Sequence, residues 1–119
     1  MKTILIVEDI DLNIDLLIQI LEDDYNLLVA KDGAQGVVLT AQNKPDLVLM
    51  DISLPIMDGY EATRMIRKTF KSLPIIGLSA HAMPGDGEKA IAAGCTDYLT
   101  KPIDENLLLK KVREYLGGT

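Results

Sequence analysis

Five polar residues of this chain stand at or just beyond the ends of short apolar runs. Glu8 and Asp9 follow TILIV, Asp51 follows DLVLM, Ser79 follows IIGL and Lys101 follows YLT. Ionised, Glu8, Asp9 and Asp51 carry −3 and Lys101 returns +1. Carboxylates crowded at one place do not all ionise cheaply. A hard dication would bring the local sum to zero. With oxygen ligands and no His or Cys nearby in sequence, that ion is Mg²⁺ or Mn²⁺ rather than Zn²⁺. Mg²⁺ favours one or two carboxylates, several waters and a phosphate oxygen, so such a site lacks only a phosphoryl group. An aspartate carboxylate is a competent nucleophile toward phosphorus and holds the group as a mixed anhydride. Phosphoryl transfer needs in-line positioning and neutralised equatorial oxygens. Here one oxygen falls to the ion, one to the Lys101 ammonium, and one to the Ser79 hydroxyl with the Ala80 N–H. Ala80 is small, which leaves the acceptor accessible.

These residues act together only if the chain gathers them. Thr3–Val7 is a short β-branched run, followed by Asp11–Leu21, where Ile14, Leu17, Ile18 and Leu21 recur at helical spacing. Asn26–Ala30 reads as a strand and Asp32–Gly33 as a turn. Ala34–Gln42 is a weak helix, because Gly36 costs ~1 kcal/mol against alanine; Asn43–Lys44–Pro45 ends it. Asp46–Met50 is a buried strand, Pro55 to Gly59 a loop, and Tyr60–Phe70 a helix with Ala62, Met65, Ile66 and Phe70 on one face. After Pro74, Ile75–Leu78 is a strand. Gly85 to Ala93 form a helix closed by Gly94. Tyr98–Thr100 is the last strand. Asp104 caps a helix that runs to about Leu116. Continuous apolar strands alternating with helices imply an α/β, doubly wound parallel sheet of five strands, covered on both faces. Ligands of such sheets lie beyond the carboxyl ends of the strands, so the polar residues converge on one rim.

Composition narrows the class. The 119 residues fit one domain, 1–119, and the 48% hydrophobic and 25% charged content is that of a soluble globular protein. No apolar stretch is long enough to span a membrane, and the apolar start runs at once into Glu8 and Asp9, unlike a signal peptide. The reading is cytoplasmic. The net charge of −6, from 12 basic and 18 acidic residues, argues against a nucleic-acid surface. Lys110, Lys111 and Arg113 suit a solvated helix C-terminus. Cys95, the only cysteine, is read as a packing residue.

In ILIVEDIDLNIDLL, PDLVLMDISLPIMDGYEATRMIR, PIIGLSAHAM and AAGCTDYLTKP the chain resembles the response-regulator receiver domain of two-component and phosphorelay systems, over nearly its whole length. The resemblance implies the flavodoxin-like strand order 2-1-3-4-5. It implies that Asp51 is the phosphoacceptor. Asp9 would bind Mg²⁺ directly, Glu8 mostly through water, and Asp51 and the Ser53 backbone carbonyl would complete the protein ligands. Ser79 and Tyr98 would be the switch pair, with the Tyr98 ring swinging inward once Ser79 moves toward the phosphoryl group. Lys101 would pair with that group, and Lys101–Pro102 would be cis. Ser53 and His81 occupy the positions that tune hydrolysis of the acyl phosphate; His81, the only histidine, is otherwise a rim residue. SAHAM looks more like receivers of hybrid kinases and phosphorelays than like those joined to DNA-binding domains. The implied donor is a sensor histidine kinase or a histidine phosphotransfer protein. The implied output is a downstream protein, read through the last two helices and the strand between them.

That makes the chain a switch and not an enzyme in its own right, monomeric or weakly dimeric on phosphorylation through the Met83–Leu116 elements. A free-standing receiver and a piece of a longer protein both fit, with Met1 and the GGT end suiting the former slightly better. Three other readings stay open. An aspartyl-phosphate phosphatase would carry a second acid where this chain has Ser53. A flavin or nucleotide module would carry a phosphate-cradling loop where this chain has Glu8 and Asp9. A degenerate receiver would bind partners without phosphorylation, against which the acceptor, the acid pair and the lysine all count.

Overall fold

The computed structural model describes residues 1–80 and 85–117. In chain order the elements are β1 (Thr3–Val7), α1 (Asp11–Leu21), β2 (Asn26–Ala30), α2 (Gly33–Asn43), β3 (Leu47–Asp51), α3 (Gly59–Arg67), β4 (Ile75–Ser79), α4 (Asp86–Ala93), β5 (Asp97–Thr100) and α5 (Glu105–Leu116). The strands are parallel, in the order β2-β1-β3-β4-β5. This is the flavodoxin-like order that the resemblance implied.

The period-2 alternation of strand side chains divides the core into two layers. Ile4, Ile6, Leu49, Ile76, Leu78 and Leu99 face Leu17 and Leu21 of α1 and Leu108 and Val112 of α5. Leu5, Val7, Val48, Met50 and Ile75 face the other side, against Ala62 and Ile66 of α3 and Ala90 of α4. Gly36, a liability for helix α2 by propensity, is explained by packing. A Cβ there would lie 3.0 Å from both Val7 methyls, so glycine lets α2 settle onto β1. Cys95 is buried and sits 3.8 Å from the Thr63 hydroxyl. Burial pushes its thiol pKa up, which fits a packing role.

Several boundaries move. Asp51 is the last residue of β3 rather than the first beyond it, and Ser79 belongs to β4. Gly33 opens α2 instead of forming a turn, with the Asp32 carboxylate accepting from the Gln35 N–H at 2.7 Å. Regular α3 stops at Arg67, short of Phe70, and the chain continues in a tight turn. Arg67 closes that end by donating to the Phe70 carbonyl at 2.8 Å and to the Gly94 carbonyl, at the end of α4, at 2.7 Å. Asp104 caps α5 through the Leu107 N–H at 3.0 Å. Lys101–Pro102 is cis.

Candidate functional site

Register brings the carboxyl ends of four strands level. Val7 pairs with Met50, Asp51 with Leu78, and Ser79 with Thr100. The turns beyond hold the edge together, because Ile52 N–H donates to the Leu78 carbonyl and Lys101 N–H to the Ser79 carbonyl. Gly59 lies where a Cβ would be 2.2 Å from the Asp51 carbonyl oxygen. Only glycine lets the start of α3 pack directly under the end of β3.

On this edge the carboxylate oxygens of Glu8, Asp9 and Asp51 come within 4.8 Å of one another. Glu8 is fully buried, Asp51 nearly so, and Asp9 exposed. One Glu8 oxygen accepts from the backbone N–H groups of Asp9 (3.0 Å) and Ile10 (3.2 Å), closing the chain where it enters α1. Its other oxygen accepts from Lys101 Nζ at 2.7 Å. Lys101 Nζ also lies 3.4 Å from Asp51 Oδ2, and the Ser53 N–H donates to Asp51 Oδ1 at 3.1 Å. Lys101 therefore bridges both buried acids and leans toward Glu8.

The charge balance is short of positive charge. Burial, then the hydrogen bond and charge of Glu8, push the Asp51 carboxyl up to about 6, against the pull of Lys101. Burial would raise Glu8 as well, but the bonds from Lys101, Asp51 and the Ile10 N–H hold it below the ordinary glutamate value. Burial works to lower Lys101, and its two carboxylate partners raise it instead. A dication fits this donor set: the converging ligands are carboxylate oxygens, and the spare negative charge sits on buried Asp51. The residues that would hold it are Glu8, Asp9 and Asp51.

The other predicted residues fall around this centre. Ser79 is buried at the end of β4, and Ala80 is exposed beside it. Ser53 is exposed, two residues past Asp51. His81 and Met83 lie outside the described residues. Tyr98 stands away from the acids on the α4 side, 41% exposed. In register it pairs with Gly77, two residues before Ser79.

Two features escaped sequence reasoning. Lys111 is not a free helix-end cation. It donates to Asp97 Oδ2 at 2.8 Å, and the Tyr115 hydroxyl donates to the same oxygen at 2.9 Å, tying α5 to the start of β5. The i, i+4 spacing of Lys111 and Tyr115 was a signal, but their partner is distant in sequence. Ile56 is a β-branched residue at φ 69°, with Met57 N–H donating to the Pro55 carbonyl across it at 2.7 Å. This is a γ-turn of the rarer, strained kind. Ile56 is 85% exposed, and with exposed Ile10, Leu12 and Leu16 it adds apolar surface on the segments flanking the acids. A cavity of about 110 Å³, lined by Leu16, Leu17, Pro102 and Ile103, opens beside Glu8 and Lys101.

The model of the family described as "Response regulator receiver domain" matches residues 4–113. The polar-differentiation response regulator DivK of Brucella anthropi is 34% identical over 119 residues, covering 98% of this chain and 97% of that protein. The receiver domain of sensor histidine kinase PA1611 from Pseudomonas aeruginosa, solved with magnesium coordinated in its active-site cleft, is 37% identical with a TM-score of 0.91, covering 98% of each chain. The receiver domain of Saccharomyces cerevisiae Ssk1, solved with the histidine phosphotransfer protein Ypd1, is 32% identical with a TM-score of 0.90, covering 96% of this chain and 88% of that one.

Proposed function

The chain belongs to the response regulator receiver domains, the signalling switches of two-component phosphorelays, and from that premise we propose that it is phosphorylated on Asp51 by a phosphohistidine donor. The observation that carries this reading is the convergence of Glu8, Asp9 and Lys101 on the nearly buried Asp51 carboxylate.

An Asp51 oxygen attacks phosphorus, the P–N bond to the donor imidazole breaks, and its electron pair returns to the ring nitrogen. Lys101, 3.4 Å from Asp51 Oδ2, needs only a small shift from Glu8 to meet a phosphoryl oxygen. The Ser79 hydroxyl and the Ala80 N–H take another. By resemblance to the family, Ser53 and His81 take the positions that tune hydrolysis of the acyl phosphate. Mg²⁺, or Mn²⁺ in its place, would be held by Asp9, Asp51 and the Ser53 carbonyl, and by Glu8 mostly through water, and would supply the positive charge the acids lack. Adding about two negative charges then biases a bistable surface made by α4, β5 and α5, with Ser79 and Tyr98 as the coupled pair.

The apolar residues Ile10, Leu12, Leu16 and Ile56 suit a donor protein that covers the acids and excludes water. A histidine phosphotransfer protein or a sensor kinase fits, and the pairing of Ssk1 with Ypd1 supports the first. We read residues 1–119 as one such domain, acting in the cytoplasm as a monomer or weak dimer; among the described residues no helix is long and apolar enough to cross a membrane.

The test is incubation with a small phosphodonor, followed by intact mass measurement. The expected result is one phosphoryl adduct that requires Mg²⁺, disappears in Asp51→Asn and hydrolyses in base. No adduct with any donor, while Mg²⁺ still binds, would indicate a receiver that works without phosphorylation.

A further inference from the structure

A Cβ built on Gly87 would lie 2.2 Å from Tyr98 Cζ, 2.4 Å from Cε1 and 2.5 Å from the hydroxyl oxygen. Non-bonded carbon atoms need about 3.5 Å. All three atoms belong to the phenol end of the side chain, so the tip of the ring rests on α4. Nothing in the backbone demands glycine at this position. Gly85, Gly94 and Gly117 have positive φ, and Gly87 is not among them. Glycine inside a helix is unfavourable against alanine, so residue 87 gives up helix stability to make room for one ring.

The ring is otherwise half exposed, at 41%. Gly77, its register partner on β4, offers no cross-strand side chain. The space above Gly77 is taken by Cys95, Ile52 and Ala90, whose atoms lie 3.3–3.6 Å from where a Cβ would be. Among the described residues, the close neighbour of the phenol end is therefore α4 at position 87.

We propose that Gly87 is a positioning residue for Tyr98: the side chain it lacks is the seat of the half-exposed ring, and that seat sets how often the ring turns inward toward Ser79. This rests on Ser79 and Tyr98 being the switch pair. A methyl group at 87 expels the phenol, and the ring must move to another staggered well. A well in solvent gives up buried apolar area, and the well toward buried Ser79 keeps it. Gly87→Ala thus imposes, without phosphate, the orientation that phosphorylation would select.

The test is hydroxyl-radical footprinting of the full chain in EDTA with no phosphodonor, with Tyr25, Tyr60 and Tyr115 as internal references. Labelling of Tyr98 should fall at least threefold in Gly87→Ala while the references hold. Unchanged or increased labelling overturns the proposal. The second measurement is thermal unfolding of Gly87→Ala in the wild-type and in the Tyr98→Ala background, a comparison that also stands if the single variant folds poorly. The substitution should lower the midpoint in the first and leave it level or raise it in the second; an equal penalty in both overturns the seat. If the wild type never accepts phosphate, the switch reading fails by itself, and footprinting still decides the seat.

Discussion

Asp51→Asn should stabilise the metal-free protein. The Asp51 carboxyl is 2% exposed and faces Glu8, and its pKa stands at about 6 against an ordinary 3.8. Holding it ionised therefore costs about 3 kcal/mol near neutral pH. Asparagine keeps the shape and sheds the charge, and Lys101 retains Glu8 at 2.7 Å. The variant should gain about 2–3 kcal/mol in urea unfolding in EDTA. Because the folded pKa is raised, the cost is complete above about 6 and absent below 3.8. The gap between variant and wild type should accordingly close as pH falls through that window. Mg²⁺ should close it near neutral pH as well, since an ion that binds the folded state stabilises it in proportion to RT ln(1 + [Mg²⁺]/Kd), and the wild type has the stronger site. An Asn variant less stable than wild type in EDTA, or a gap indifferent to both pH and Mg²⁺, would refute the reasoning.

Two further outcomes follow from geometry outside the acids. Ile56→Gly relieves a strained turn, worth about 1–3 kcal/mol, and returns roughly 1 kcal/mol of that to chain entropy; urea unfolding should show a net gain of about 1 kcal/mol, and a loss would mean that φ 69° carries no strain here. Asp97→Asn should cost about 1 kcal/mol near neutral pH, a few degrees in melting midpoint. Burial works to raise Asp97, but the bonds from Lys111, the Tyr98 N–H and Tyr115 hold it below 3.8. Its contribution is therefore present above 3.8 and disappears as pH falls through the lower folded value, so equal melting losses at neutral and strongly acid pH would exclude the ion pair as the cause.

Most of the fold and the site's cast were legible along the chain. Continuous apolar runs such as ILIV and LVLM need cover on both faces, which leaves a parallel sheet with helices on either side. The acids, Ser79 and Lys101 then fall at strand ends, and parallel strands put their carboxyl ends on one edge. That inference needs only the period of the pattern and the direction of the chain. Boundaries were less legible. Asp51 and Ser79 are themselves strand residues, because their backbone groups still find ladder partners across the sheet, which an apolar pattern does not record.

What only the tertiary structure decided is which partner each polar group takes. Lys101 lies 93 residues from Glu8, and its choice of Glu8 at 2.7 Å over Asp51 at 3.4 Å depends on ångström-scale placement at the sheet edge. The rise of Asp51 to about 6 follows from burial and from the hydrogen bond and charge of Glu8 beside it. Lys111 could be read only as a helix-end cation until β5 brought Asp97 to it. Gly87 carries no mark in the helical pattern, and it is the fold that puts the Tyr98 ring in the space of its missing side chain. Periodicity reports which face of an element is buried, because burial recurs along the chain. A pairwise contact occurs once, between residues far apart in sequence, and leaves no period to read.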